Sequence, residues 1–448
     1  MSQTAIVWFV GGWFALFLLL GQNVATVLLG SGLVGVALWV GPRVFDGIIG
    51  PDIFFTSSIY SLSIIPLYLV MAQLLLRGGV IVDLFRVAHR LSGYKRFPLG
   101  VATILTGGLL GAVCGSGSAS AAALATLAGP ELERVGYTRR YAIGLAAVAG
   151  SLSAVIPPSL IVIIYGSITM VPIGHLFIGL VGPGLLCMAV YIGCMLFYAE
   201  VKPGAVDGVK LDAHEDPALY RRSMHAFAFV MVLMAVVFGG IYGGIITVAE
   251  AGAIGAFTAL VGMVAMRRVT LKDIGISMAD SVKVTGMLMM LVIGAQIMAR
   301  FLAFSRVPRE LVALLEPILD QPMLLVALMM VLFFLAGMIL ESAAIIVLLV
   351  PILMPLLAAA KIDLLWFGVV SSFMIALGLL TPPVGLSVYA AASATRFPVA
   401  QVFRPGTVFP AGGRAPDVRA ARCRHDRGQG ENPLGMVDRA PLGDHPAE

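Results

Sequence analysis

The fold is decided by residues 97–166, which read FPLGVATILTGGLLGAVCGSGSASAAALATLAGPELERVGYTRRYAIGLAAVAGSLSAVIPPSLIVIIYG. Two breaks interrupt this apolar stretch, GSGSAS at residues 115–120 and IPPS at residues 156–159. In a bilayer an unpaired backbone polar group costs several kcal/mol, so broken backbone is tolerated only where protein or a wet cavity covers it. Two such breaks close together predict a binding site at membrane depth.

Basic residues on both sides of the first break predict its topology. They lie before it at Arg77, Arg86, Arg90, Lys95 and Arg96, and after it at Arg134, Arg139 and Arg140. The positive-inside rule places both groups in the cytoplasm. Residues 99–130 between them are too few for two full spans, which need about 40 residues. We therefore expect a re-entrant hairpin with its tip at residues 115–118. The alternative is a single tilted helix whose small residues form a packing face.

A second copy of this pattern follows at an offset of 225 residues. Pro130 aligns with Pro355, the Pro-Pro pair at 157–158 aligns with the pair at 382–383, and Gly117 aligns with Ser342. Charge counting along the chain has the second hairpin, residues 323–357, enter from the opposite face. The sequence therefore predicts an all-α polytopic membrane protein: an inverted repeat with two re-entrant hairpins and two broken helices.

The composition limits the function class. Of the 448 residues, 59% are hydrophobic and 12% are charged, whereas a globular protein carries about 25% charged residues. The net charge of +5 is assigned to cytoplasmic loops that face anionic lipid, and no long basic run indicates nucleic-acid binding. No Walker motif indicates an ATPase, and the four cysteines and six histidines show no metal-ligand spacing.

The chain divides at its polar loops and breaks. We predict N-terminal scaffold helices at 1–96, a first repeat core at 97–199, a cytoplasmic linker with the second scaffold helices at 200–322, a second repeat core at 323–402, and a polar tail at 403–448. The tail has 13 charged residues in 46 and no apolar run. Our hypothesis is a frameshift near residues 403–405 that replaces a last membrane helix, and the alternative is a natural disordered tail.

The breaks offer oxygen ligands for a hard cation such as Na⁺. Ser116 and Ser118 supply hydroxyl groups, and prolines at 157–158 lack N–H donors, so the carbonyls of residues 153–155 lose helical partners. In the second repeat, Ser342 and Thr381 stand at the equivalent places. The candidate ion- and substrate-binding residues are Gly115, Ser116, Gly117, Ser118, Pro157, Pro158, Ser159, Glu341, Ser342, Thr381, Pro382 and Pro383. Helix N-termini at both tips also favour a substrate carboxylate.

Three motifs carry a family resemblance: GSGSASAAALATLAGPELERVGY at 115–137, AVIPPSLIVIIYG at 154–166 and GLLTPPVG at 378–385. They resemble the large membrane subunit of TRAP (tripartite ATP-independent periplasmic) transporters, the DctM-like family, over roughly residues 1–402. The resemblance implies an elevator-type ion-transporter architecture. It also implies a non-enzymatic permease of the bacterial inner membrane, which imports small organic acids such as C4-dicarboxylates by symport with Na⁺. It also implies a small DctQ-like membrane subunit and a periplasmic DctP-like binding protein as partners, with no cofactor besides the coupling ion.

The resemblance also places the ion and substrate loops at 115–118, 156–159, 341–343 and 381–384. The family usually has Asp at the position of Glu341, and a common family Asn is Met374 here. Glu341 either binds the cation or a proton, or caps the returning helix as a structural residue. Glu250 lies in a G-x-x-T-x-x-E pattern of the family, and we expect it to cap a helix.

Other functions remain as alternatives. A stand-alone Na⁺- or H⁺-coupled dicarboxylate or citrate carrier, or an antiporter, would share the inverted hairpins and need no binding protein. An intramembrane enzyme would need a nucleophile with its base or a metal set within the spans, and no H-E-x-x-H motif is present. A channel does not require two opposed hairpins.

Overall fold

Residues 2–41, 47, 49–91, 96–201 and 217–403 are described by a computed structural model, and the backbone of these residues is helical without a strand. The first ten helices are α1 (Gln3–Leu19), α2 (Val24–Val40), α3 (Gly50–Ser57), α4 (Ile64–Arg77), α5 (Val80–Leu91), α6 (Arg96–Cys114), α7 (Gly117–Arg134), α8 (Arg139–Ser151), α9 (Leu160–Thr169) and α10 (Ile173–Val201). The predicted all-α class is confirmed.

The second half of the chain continues the helical pattern. Its helices are α11 (Pro217–Tyr242), α12 (Val248–Ala265), α13 (Leu271–Ser305), α14 (Val307–Leu314), α15 (Glu316–Leu319), α16 (Pro322–Gly337), α17 (Ser342–Ala359), α18 (Leu364–Gly378), α19 (Leu386–Ala394) and α20 (Val399–Val402). Two predicted regions lie outside the described residues. They are residues 202–216 of the predicted linker and the predicted tail beyond residue 403.

Six helical segments of the described chain are long and apolar enough to cross a membrane. They are Tyr60–Arg77, Ile173–Phe197, Tyr220–Tyr242, Val248–Ala265, Leu271–Ser305 and Ser342–Ala359. A polytopic membrane protein is therefore what the helices define, as the composition predicted.

Helix α13 starts at Leu271 and is the longest helix of the described chain. Thr270 and Asp273 form a reciprocal capping box, in which the Asp273 carboxylate accepts the Thr270 N–H at 2.8 Å. This cap starts the helix outside the apolar segment. The helix is then tied at two points, by Asp280 to Arg77 at 2.5 Å and by Arg300 to Asp52 at 2.6 Å. At 1.5 Å per residue these points are about 30 Å apart, the thickness of a hydrocarbon core.

The helices of the two predicted repeats recur in the same order. Helix α7 and helix α17 have both of their bounds displaced by 225 residues. Helix α6 precedes α7, and α8 and α9 follow it. In the same way, α16 precedes α17, and α18 and α19 follow it. The Pro157-Pro158 and Pro382-Pro383 peptide bonds are both cis. The opposite orientation of the two copies across a bilayer stays a prediction.

Contacts between the repeats exchange equivalent helices. Helix α7 of the first repeat packs against α19 of the second, and α17 of the second packs against α9 of the first. Within each repeat, α6 packs against α8 and α16 packs against α18. The same close approach recurs at the break, since a Cβ on Gly111 would lie 2.5 Å from the Ser153 Cα and a Cβ on Gly378 would lie 2.6 Å from the Phe334 carbonyl oxygen. Two repeats related by a pseudo-twofold axis would contact each other through equivalent helices in this way.

Helices α6 and α7 are two separate helices that pack side by side. A hairpin requires this packing, and a single continuous tilted helix does not show it. The hairpin follows α5, which is fixed by a buried ionic group. The Asp83 carboxylate, whose side chain is 6% exposed, is bound by the Arg268 guanidinium and by the Ser223 hydroxyl at 2.6 Å. This group links α5 to the start of α11 and the end of α12.

Candidate functional site

The first hairpin tip is a two-residue break between α6 and α7. Gly115 has a φ of +63°, and a Cβ there would lie 3.2 Å from the Pro158 carbonyl oxygen. The Leu160 N–H donates to the Gly115 carbonyl at 3.5 Å. Glycine is therefore needed both for the left-handed backbone and for the close approach. The structure brings the first tip and the first broken helix together.

The hydroxyl groups of Ser116 and Ser118 lie 3.4 Å apart at the start of α7, and both residues are half-buried. Ser116 precedes the helix in extended conformation, and its side chain does not cap the helix. The first N–H groups of α7 are thus left to other partners. Gly117, the first residue of α7, is buried against α19, where its Cβ position is 3.5 Å from the Ser387 hydroxyl oxygen.

The first broken helix is buried behind this tip. Pro157, Pro158 and Ser159 are all buried between the end of α8 and the start of α9. The Ser159 hydroxyl donates to the Ala154 carbonyl at 2.9 Å. One of the three carbonyls that the prolines were predicted to free is therefore occupied by a side chain of the same loop.

The second hairpin tip lies between α16 and α17, and Glu341 ends it. The Glu341 carboxylate accepts the Ala343 N–H at 2.9 Å and the Ser342 hydroxyl at 3.0 Å. Glu341 is exposed, whereas Ser342 is 3% exposed. The carboxylate thus caps α17, as one of the two predicted alternatives has it, and still faces open space.

The second broken helix is placed differently from the first. Pro382 and Pro383 are exposed, and the Thr381 hydroxyl donates to the Leu377 carbonyl of its own helix at 2.8 Å. The loop reaches the second tip through Gly385, whose N–H donates to the Met338 carbonyl at 3.1 Å. The structure therefore brings the second break to its hairpin by the backbone, with its two prolines on the surface.

A cavity of about 340 Å³ joins the two hairpin tips. Its polar lining comes from both tips and from one scaffold helix, and its apolar lining comes from α4, α7, α9, α13 and α17. The lining residues are Leu69, Ala72, Gln73, Leu76, Gly115, Ser116, Ser118, Ala119, Ala123, Leu160, Ile161, Val284, Met287, Leu288, Glu341, Ser342 and Ala343. Five predicted site residues share this cavity, while Gly117 and residues 157–159 and 381–383 do not line it.

The electrostatics of the cavity are unusual for a site that would take an anion. Glu341 is the charged residue among the described lining residues, and they include no Lys, Arg or His. The N-terminal turns of α7 and α17 both border the cavity. Helix N-termini carry partial positive charge and favour anions. Hydroxyl oxygens and the carboxylate favour a hard cation.

Gln73 lines the cavity and was not among the predicted site residues. It lies in α4, within the predicted N-terminal scaffold. The signal was present, since Gln73 is the one amide in an otherwise apolar helix. Met287 of α13 also lines the cavity. Glu250 does not, and the predicted capping role is confirmed by its capping box with Thr247.

An all-α membrane protein whose two helical hairpins meet at one partly polar cavity has the architecture of a secondary transporter. The family described as "Tripartite ATP-independent periplasmic transporter, DctM component" matches residues 11–410. The chain therefore belongs to the DctM family of TRAP transporter large permeases, as its motifs predicted, and it is a permease and not an enzyme.

Known proteins agree with this assignment. The chain is 30% identical over 355 residues to the C4-dicarboxylate TRAP transporter large permease protein DctM of Pseudomonas aeruginosa, covering 79% of this chain and 82% of that one. It is 29% identical over 372 residues to the 2,3-diketo-L-gulonate TRAP transporter large permease protein YiaN of Escherichia coli, covering 82% and 85%. The fold resembles the crystal structure of the Alcanivorax borkumensis YdaH transporter, with a TM-score of 0.63 at 15% identity over 87% of this chain and 93% of that one.

Proposed function

We propose that this chain is the large membrane subunit of a Na⁺-coupled secondary transporter that imports small organic acids from a soluble binding protein. The observation that carries the proposal is the cavity between the hairpin tips. It combines one carboxylate, three serine hydroxyl groups and two helix N-termini, with no basic side chain among its described lining residues. Such a site holds an anion only together with cations.

The charge balance supports this coupling. A carboxylate that enters the cavity meets the carboxylate of Glu341, and two like charges 6 Å apart repel by about 2.8 kcal/mol at an effective dielectric constant of 20. Because Glu341 is exposed, the repulsion lies between this value and about 0.7 kcal/mol, its size in water. The two helix N-termini, at about 0.3–1 kcal/mol each, offset only the lower part of that range. Cations bound at the hydroxyls of Ser116, Ser118 and Ser342 supply the missing attraction, and hydroxyl and carbonyl oxygens are ligands that suit Na⁺.

The substrate class is supported by the relatives. One is named for C4-dicarboxylates and the other for 2,3-diketo-L-gulonate, and both of these compounds carry carboxylate groups. The cavity volume of about 340 Å³ lies near the lower end of the usual range for ligand pockets, about 300–1,000 Å³. We propose a small carboxylate as the substrate.

The partners are proposed from the family. The family description is of a tripartite, periplasmic system, so two further components are expected, a small DctQ-like membrane subunit and a DctP-like binding protein. We propose that the assembly resides in the bacterial inner membrane.

The test is uptake of labelled organic acids into proteoliposomes that hold this chain and its small membrane partner. The Na⁺ gradient and the binding protein are each supplied or withheld. We expect uptake of at least one acid only when both are present, and we expect Ser118→Ala to reduce it at least tenfold. The control is Ser57→Ala, because Ser57 is exposed on α3 and bonds only within its own helix in the described structure.

Three results would change the proposal. Uptake without the binding protein indicates a stand-alone carrier. Uptake that ignores the Na⁺ gradient removes the coupling ion. Equal uptake by the Ser118→Ala and Ser57→Ala variants removes the first hairpin tip from the site.

A further inference from the structure

Gln73 places a side-chain amide on a wall of the cavity that does not come from the hairpin tips. Helix α4 reads IIPLYLVMAQLLLR and packs against α12 and α13, so it belongs to the predicted scaffold. Tyr68 is a second polar residue of this helix. Its side chain is buried, and its hydroxyl donates to the Val248 carbonyl at 3.3 Å. Gln73 lines the cavity instead.

The amide of Gln73 makes no hydrogen bond with any residue that the structure describes. A primary amide has two N–H donors and one carbonyl acceptor. A ligand that displaces water from this amide without pairing with it therefore loses affinity. Gln73 is half-buried, so its unpaired amide is open to the cavity. A ligand that fills the cavity either pairs with this amide or removes water from it without replacing the hydrogen bonds.

The surroundings of Gln73 restrict what it binds. The rest of the α4 wall is Leu69, Ala72 and Leu76, and α13 adds Val284, Met287 and Leu288. Gln73 is therefore the polar group on the described part of this wall, whereas the tips carry the other polar groups. A substrate whose carboxylate is held by the tips would place its other oxygen-bearing groups near Gln73.

We propose that Gln73 is a specificity-determining residue, which donates hydrogen bonds to an oxygen-bearing group of the substrate beyond the carboxylate that the hairpin tips hold. This inference rests on the proposed function and deepens it, because it names the substrate class as acids with a second carboxylate, hydroxyl or keto group. The cavity holds roughly eleven water-sized volumes of about 30 Å³, so a four-carbon acid of this class fits.

The amide gives selectivity by the cost of leaving it unpaired. An acid with no second oxygen-bearing group fills the cavity with methyl or methylene groups and strands the Gln73 donors. A site with a buried polar group rejects such an analogue more strongly than an apolar site does. A hydrogen bond from the amide to a charged acceptor favours the matching acid by about tenfold or more.

The experiment uses Gln73→Met, which keeps the length of the side chain and removes its hydrogen bonds. The probes are butyrate, succinate and malate, which have the same number of carbon atoms and differ in their oxygen-bearing groups. Binding to the purified full chain in Na⁺ is measured by titration calorimetry, and uptake is measured in the complete system. The matched control is Gln296→Met, since Gln296 is partly buried in α13 and does not line the cavity.

The expected result is a loss of selectivity. Wild type and Gln296→Met favour succinate or malate over butyrate, and Gln73→Met lowers that preference by about tenfold while butyrate binding is kept. Equal preference in Gln73→Met and wild type overturns the role of Gln73 and leaves the proposed function intact. Absence of binding and uptake of all three acids by wild type overturns both. A Gln73→Met chain that unfolds is replaced by Gln73→Leu, and the same comparison then decides.

Discussion

The carboxylate of Glu341 gives the sharpest perturbation of the cavity, because Glu341→Gln removes its charge and leaves its shape. Glutamine keeps an oxygen that accepts the Ala343 N–H, which the carboxylate accepts at 2.9 Å, so the cap of α17 is retained. The change therefore separates the two predicted roles of Glu341. A purely capping residue tolerates glutamine, and a residue that attracts a cation does not.

The expected magnitude follows from Coulomb's law. Two unit charges 4 Å apart attract by about 1 kcal/mol in water and by about 4 kcal/mol at an effective dielectric constant of 20. Glu341 is exposed, so a value near the lower limit applies. A loss of about 1.4 kcal/mol corresponds to a tenfold weaker affinity. We expect the Na⁺ concentration for half-saturation to rise about fivefold in Glu341→Gln, which is the factor that about 1 kcal/mol gives.

The assay is the thermal stability of the purified chain in detergent as a function of Na⁺ concentration, with choline replacing Na⁺ at constant ionic strength. A ligand that binds the folded state raises its stability in proportion to the logarithm of its concentration above the dissociation constant. The control is Glu250→Gln, which removes one carboxylate from a helix cap outside the cavity. An unchanged Na⁺ response in Glu341→Gln, or the same loss in Glu250→Gln, would refute a cation-attracting role.

Two further predictions concern the scaffold and the first repeat. Asp83→Asn leaves the Arg268 guanidinium, which is 8% exposed, without its carboxylate, and should lower the free energy of unfolding by about 3 kcal/mol. Asp280→Asn breaks its ion pair with Arg77, in which the two side chains are 32% and 30% exposed. This change should lower the free energy of unfolding by less than about 1 kcal/mol. Thermal unfolding in detergent measures both, and an equal effect contradicts the buried network. Gly150→Ala places a Cβ 2.3 Å from the Ala121 nitrogen, whereas Gly182→Ala meets no atom within 4 Å; the first variant should lose folded protein in size-exclusion chromatography and the second should not, and two normal profiles would contradict the α7–α8 packing.

Local features of the sequence predicted the hairpins and breaks. A proline pair removes backbone donors wherever it occurs, and the small residues at 115–118 end a helix by their own conformational freedom. Helices α7 and α17 start within a residue or two of the predicted tips. These signals depend on a few neighbouring residues, so a single sequence carries them.

Features that depend on packing between distant helices were not predictable. Gln73 reaches the cavity because α4 packs against α9 and α13, which also line it, and periodicity within α4 does not show that. Hydropathy also does not show where α13 starts, because it marks the apolar segment and the Thr270 cap lies before that segment. The exposure of Pro382 and Pro383, against the burial of Pro157 and Pro158, depends on how each copy packs with its neighbours and not on the shared motif.

We propose that the two hairpin tips form one site in which a cation and an organic anion bind together. The direct measurement is titration calorimetry of the purified chain with succinate or malate at a series of Na⁺ concentrations, in wild type, Ser118→Ala and Ser342→Ala. Linkage requires that Na⁺ and the acid raise each other's affinity by the same factor, and we predict this for wild type, with a smaller factor in each variant. Acid affinity that is independent of Na⁺, or a response that only one of the two tips affects, would contradict the shared site.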